Sequence, residues 1–164
     1  MCETTDRINQ RFGSESFQPV RLLEGPFSFK DIVALYLSAS VLWITAKRDG
    51  LNLVAKEFVV AQSAAGGEGT LVLSSFAGVA QQLRAAVLTN PYDVQEMAST
   101  LERALWMPTD ERRRRLRAMA EAAAETDVER WAEDMLTAIR TPNGKASGRS
   151  LITVPVERFS PSRW

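Results

Sequence analysis

The chain has 164 residues, an apolar share of 45%, and 20 basic against 20 acidic side chains, so it has the length and core material of one ordinary domain and no formal net charge. That balance argues against general binding to nucleic acid or to a membrane surface, which needs a basic excess. The absence of histidine excludes Ser-His-Asp and Cys-His catalytic sets and His-ligated metals within the chain, and the single cysteine, Cys2, can build neither a zinc-thiolate cluster nor an internal disulfide. No run is long enough to span a bilayer and no cleavable apolar leader is visible, so a reducing cytoplasm is the expected compartment.

In chain order, Met1 to Pro19 is polar, with Ile8 and Phe12 its apolar spacing. Val20 to Leu23 is expected as a short strand, and Gly25-Pro26 as a turn. Ser28 is placed to cap a helix from Phe29 to Ser38, with Ile32, Val33, Leu35 and Tyr36 as its apolar face. Val41 to Thr45 is a continuous apolar and β-branched run, the pattern of a strand buried on both sides, which makes Trp43 a core residue. Asn52 to Gln62 reads as the next helix, and Ala64 to Gly69 as a surface loop. Thr70 to Ser74 is a third strand, followed by a short helix from Val79 to Arg84. Ala86 to Thr89 is a fourth. Asp93 caps a helix from Val94 to Trp106, which Pro108 ends. Thr109 restarts a helix to about Glu125, and Thr126 or Asp127 caps another to Ile139. After Arg140 the composition turns to Pro, Gly, Ser and basic residues around an apolar island at Ile152 to Val156. The folded domain is therefore expected over 1–140, with 141–164 a disordered or loosely docked tail.

Strands alternating with helices at this spacing predict an α/β fold: a parallel, Rossmann-like sheet of about four to six strands with helices on both faces and right-handed connections. Ligands of such sheets bind beyond the carboxyl ends of the strands. Three distinctive loops fall there: Asp49-Gly50, Ser74 to Gly78, and Asn90 to Asp93. The run from Arg48 to Phe58 carries the most information, because it is a strand exit, a glycine turn and a helix start in succession. Free N–H groups at a helix start attract an anion, and glycine lets backbone approach it closely. Lys56 and Glu57 follow one turn in. Their types suit phosphate oxygens and sugar hydroxyls respectively.

Taken singly, these residues have plainer readings. Asp before Gly is usually a turn residue, Glu57 a solvated helix carboxylate, Lys56 as much a solvent lysine as a ligand, and Gly78 a turn glycine without a ligand. Arg112 to Arg115 point in four directions on a helix among Asp110, Glu111 and Glu121, so a solvated face is expected there.

Three segments together resemble the trehalose-6-phosphate synthase family of retaining glycosyltransferases, which includes glucosylglycerol-phosphate synthase. They are Thr45 to Glu57 (TAKRDGLNLVAKE), Leu71 to Gly78 (LVLSSFAG) and Asn90 to Asp93 (NPYD), supported in order and spacing by Ile8 to Gly13 and Asp127 to Trp131. The resemblance runs from about Ile8 to about Ile139. It implies the C-terminal, donor-binding half of a two-domain GT-B glycosyltransferase. That half would hold a nucleoside-diphosphate glucose, while a phosphorylated small-molecule acceptor would be met through an N-terminal domain absent from this sequence. By position, Asp49 would be the catalytic-site carboxylate, lining the glucose with Gly50, Leu51 and Asn52. Leu53 and Val54 would give backbone N–H groups to phosphate, with Ala55 and Lys56 in the same donor-binding turn. Glu57 would hold the ribose hydroxyls, and Phe27 would lie against the base. No cofactor and no metal is expected, because a helix start can stabilise the departing diphosphate and the phosphate itself can take the acceptor's proton.

The sequence departs from the family pattern in places. Lys47 stands where an apolar residue is usual, and Ser75 where Glu or Gln is more frequent. The acceptor-phosphate ligands, the catalytic histidine and the Arg/Lys pair that clamps the donor diphosphate belong to parts of the family not present here. Three readings stay open. The chain is the donor half of a glucosyltransferase making trehalose 6-phosphate or glucosylglycerol phosphate, it is a non-catalytic nucleotide-sugar-binding fragment or inactive truncation remnant, or its long C-terminal helices pair with a separately encoded N-terminal half. Met1 falls just before a segment that is internal in the family, which fits a truncated or misassigned start.

Overall fold

Three short apolar runs make the sheet because each places aliphatic side chains on both faces of an extended backbone. They are β1 (Val41–Ile44), β2 (Thr70–Ser74) and β3 (Val87–Thr89), all parallel and in the order β1-β2-β3. The register pairs Leu42 with Leu71 and Ile44 with Leu73 across β1 and β2, and Val72 with Val87 across β2 and β3. The structure, a computed structural model, describes residues 2–125. The expected helix to Ile139, Trp131, Trp164 and the 141–164 tail lie outside the described residues.

The helices are α1 (Cys2–Phe12), α2 (Phe29–Ser38), α3 (Leu53–Ala64), α4 (Val94–Leu105) and α5 (Thr109–Ala124), with a 3-10 turn at Gly78–Gln81. Two compact units divide after Ile32. In the first, α1 was not anticipated, since Ile8 and Phe12 alone give too thin an apolar stripe to signal a helix. Asn9 ties this unit together: its Nδ2 donates to the Val20 carbonyl at 2.8 Å and its Oδ1 accepts from the Val20 amide at 2.9 Å. The strand expected at Val20 to Leu23 does not form. Its residues pair with no neighbouring strand, and an extended segment without a ladder is not a strand. Ser28 does cap α2: the Asp31 amide donates to its Oγ at 3.3 Å, and the Asp31 carboxylate accepts from the Ser28 amide at 3.0 Å.

In the second unit, period-2 alternation divides the core between the two faces of the sheet. Leu71 and Leu73 face α3 and α5, where Phe58, Val59, Leu83, Leu116 and Met119 are buried with them. Val72 and Val87 point the other way, onto Ala104 and Met107 around α4. Each fully buried large apolar side chain contributes roughly 1.5–3 kcal/mol. Helices thus cover both faces, as expected, but the described sheet has three strands rather than four to six. β1 lies at its edge, so Trp43 is 41% exposed instead of being a core residue. Gln62 is buried and fully used. Its Nε2 donates to the carbonyls of Tyr36 at 2.7 Å and Ala39 at 3.2 Å, and its Oε1 accepts from the Gly69 amide at 3.0 Å.

The arginine run on α5 is not simply a solvated face. Arg113 pairs with Glu68, Arg114 and Arg115 with Glu111, and Arg115 also donates to the Ala85 carbonyl at 3.0 Å. The Glu68 pair ties α5 to the loop before β2, and the Ala85 bond ties it to the segment before β3. No helix among the described residues is long and apolar enough to cross a membrane.

Candidate functional site at the carboxyl edge of the sheet

The loops leaving the three strands are stitched to one another. After β1, the Asp49 carbonyl accepts from the Gly78 amide at 3.1 Å, forming a single parallel bridge with the loop after β2. After β2, the Ser75 amide donates to the Thr89 carbonyl of β3 at 3.0 Å. Glycine at 78 is required by this contact: a Cβ there would sit 2.3 Å from the Gly50 carbonyl oxygen. The sequence left Gly78 as an ordinary turn residue, and its reason is the close approach of two loops.

Gly50 is the opposite case. Its φ is not positive and a Cβ would meet nothing within 4 Å. No neighbour among the described residues requires a glycine there, and the backbone at this turn is open to solvent.

The start of α3 follows directly. Asn52 is its N-cap, with Oδ1 accepting from the Ala55 amide at 2.9 Å. The same side chain donates through Nδ2 to the Asp49 carboxylate at 2.7 Å, so the turn and the helix start are one hydrogen-bonded piece. With the Ala55 amide satisfied by the cap, the amides of Leu53 and Val54 remain without an acceptor among the described residues. The side chains around them are unusually bare for apolar residues: Leu51 is 55%, Leu53 57% and Val54 43% exposed. Ala55 is fully buried and anchors this turn in the core.

One turn into α3, Lys56 is half-buried, and burial holds its ammonium below the usual lysine range. Glu57 is exposed and accepts a hydrogen bond from the Tyr36 hydroxyl at 2.9 Å. Tyr36 is pushed up to about 12, first by burial and then by this bond and the Glu57 charge. Tyr36 was read only as part of the apolar face of α2. Its ring does pack, edge-on to Phe58 at 6.2 Å, while its hydroxyl reaches the candidate site. A contact between residues 21 apart leaves no periodic signal. Phe27 belongs to the first unit, in the coil before α2, and is 41% exposed.

The structure therefore places Asp49 to Glu57 on one continuous turn-and-helix segment at the carboxyl edge of the sheet. Among the described residues, no group of three or more Cys, Asp or Glu side chains is arranged to hold a metal ion. This is a Rossmann-like α/β protein whose strand-exit loops converge on an uncovered helix start, an arrangement suited to an anionic ligand.

Comparison with known proteins narrows the class. The family model for glycosyltransferase family 20 matches residues 1–141, and the chain belongs to that family. It is 46% identical over 130 residues to the glucosylglycerol-phosphate synthase of Synechocystis, a match covering 79% of this chain and 26% of that protein. It is 41% identical over 132 residues to the trehalose-6-phosphate synthase of Mycolicibacterium vanbaalenii, covering 80% of this chain and 26% of the relative. Among solved structures, the trehalose-phosphate synthase of Burkholderia xenovorans in complex with glucose-6-phosphate aligns with a TM-score of 0.78 at 39% identity, covering 84% of this chain and 30% of the other. The E. coli trehalose-6-phosphate structure bound with UDP-2-fluoro glucose aligns equally well, at 0.78 and 38%, over 84% of this chain and 30% of that one. The chain thus spans between a quarter and a third of the length of these relatives.

Proposed function

We propose that this chain is the nucleotide-sugar-binding half of a retaining glucosyltransferase, holding UDP- or GDP-glucose for transfer to a small phosphorylated acceptor. The observation that carries the reading is the start of α3. Two amides without an acceptor among the described residues, Leu53 and Val54, stand beside an open glycine and three exposed apolar side chains. A diphosphate accepts from the amides and gains from the helix dipole. A sugar lying against Gly50 gives the reason, absent among the described residues, for glycine at that position. Leu51, Leu53 and Val54 would be covered in the process.

Asp49, fixed by Asn52, would then accept from a glucose hydroxyl, and Glu57 would accept from the ribose hydroxyls with the oxygen that Tyr36 leaves free. Phe27 is proposed to lie against the base. As the glycosidic bond breaks, negative charge builds on the departing diphosphate, where the α3 amides stabilise it without reorganising. The chemistry assigned to this half needs no histidine or metal from it. UDP-2-fluoro glucose in the E. coli relative supports the choice of donor, and glucose-6-phosphate in the Burkholderia relative supports the acceptor class. The names of the relatives leave two products, trehalose 6-phosphate and glucosylglycerol phosphate.

A second reading is donor binding without turnover by the residues of this chain, which span 26% of the relatives' length. Two assays separate the two readings. Calorimetry with UDP-glucose measures binding, and UDP release with glucose 6-phosphate or glycerol 3-phosphate measures transfer. Weak binding and no turnover by the isolated chain are expected. Turnover by the purified chain would show that it needs no further half.

A further inference from the structure

We propose that the segment from Leu151 to Val156 adds as a strand along the open edge of β3, covering Leu88 and Trp106. The segment lies outside the described residues, and the family match ends at residue 141, before it.

β3 is an outer strand of the sheet, and its outward backbone groups can be followed one by one. The Thr89 carbonyl faces β2, where it accepts from the Ser75 amide at 3.0 Å. Backbone groups alternate in direction along a strand, so those of Ala86, Leu88 and Asn90 face away from β2. The Asn90 amide is taken by Glu96 Oε1 at 3.0 Å, and the Ala86 amide by the Leu83 carbonyl at 2.9 Å. Leu88 is left with an amide and a carbonyl that have no partner among the described residues. Beside this strand runs a groove lined by Val87, Leu88, Trp106, Met107, Pro108 and Arg115. Leu88 is 43% and Trp106 81% exposed, although both are large apolar side chains. A free backbone pair next to bare apolar surface is what an added strand recognises.

Composition and reach choose the occupant. Leu151-Ile152-Thr153-Val154-Pro155-Val156 carries no charge, and Ile152, Thr153, Val154 and Val156 are β-branched. Pro155 has no N–H, so in a strand its backbone nitrogen belongs on the outer side of an edge. By alternation the backbone groups of Ile152 and Val154 then face inward, and one of the two pairs with Leu88. The roughly 25 residues from 126 to 150 span up to ~80 Å when extended, against ~24 Å for the whole of α5. The segment therefore reaches β3 of its own chain. β1 is the other outer strand, but α5, from which the segment departs, borders β3: Arg115 lines the groove and donates to the Ala85 carbonyl at 3.0 Å.

The test uses the full chain, labelled for NMR. Nuclear Overhauser contacts should join Ile152 or Val154 to Leu88 and to the Trp106 ring. The double variant Ile152→Asp with Val154→Asp should lose these contacts and exchange the Leu88 amide at least tenfold faster, with the Val72 amide at the centre of the sheet unchanged. Equal Leu88 exchange in wild type and variant, absence of the contacts, or contacts from the segment to Trp43 of β1 instead, overturns the proposal. So do contacts found only between chains in a mixture of labelled and unlabelled protein, which would make a second copy the occupant.

Discussion

Tyr36 and Glu57 are joined across α2 and α3, the phenol donating to Glu57 Oε2 at 2.9 Å. The bond selects one rotamer for an exposed glutamate, whose freedom otherwise costs up to ~2 kcal/mol on ligand binding. Tyr36→Phe keeps the edge-on packing against Phe58 and removes only this restraint. It should weaken UDP-glucose binding about tenfold, or ~1.4 kcal/mol, with little change in melting temperature. Glu57→Ala should cost more, since the ribose contact goes with it. Calorimetry on both variants checks the order.

The same pair predicts a pH dependence. The folded chain holds the Tyr36 proton up to about 12, above the ordinary 10.0. The unfolded chain therefore loses that proton first as pH rises. The associated stability is intact below pH ~10 and disappears as pH climbs towards ~12. In Tyr92→Phe, Tyr36 is the only remaining tyrosine, because the chain has two. Its phenolate absorbance should then appear near the raised value. Glu57→Gln should bring it part of the way back, since burial, the larger cause, remains.

Two glycines should respond oppositely. Gly78→Ala forces a methyl against the Gly50 carbonyl, where its distance would be 2.3 Å, and overpacking of this kind costs about 1–3 kcal/mol. Gly50→Ala meets open space and should leave stability within ~0.5 kcal/mol of wild type while reducing UDP-glucose binding sharply. Urea denaturation and calorimetry, run on both, separate the packing glycine from the ligand-facing one.

Asn52→Ala removes the α3 cap and the bond to Asp49 together. The lost cap should cost about 1 kcal/mol. Asn52→Asp retains a capping oxygen but sets a second carboxylate against Asp49. It should recover helix stability without recovering donor binding.

Most elements from α2 onward were legible because each has a local cause. β-rich runs mark the strands, Asp93 and Ser28 cap their helices, and Pro108 separates α4 from α5. The segment from Asp49 to Glu57 was legible from its motif. What was not legible depends on partners distant in sequence. Trp43 looked like a core residue because a continuous apolar run resembles an interior strand, and only the sheet order shows that β1 is an edge. Val20 to Leu23 has strand composition, but a strand needs a neighbour. The Tyr36–Glu57 bond and the steric demand at Gly78 both join different loops or helices, and no single-segment pattern carries them.

The central claim is that the start of α3 receives the donor diphosphate. Amide NMR of the full chain titrated with UDP-glucose tests it most directly. The account predicts that the Leu53 and Val54 amides shift in proportion to saturation, with Gly50 and Glu57 moving alongside. Saturable UDP-glucose binding that leaves Leu53 and Val54 where they are, or no binding at millimolar donor, would contradict it.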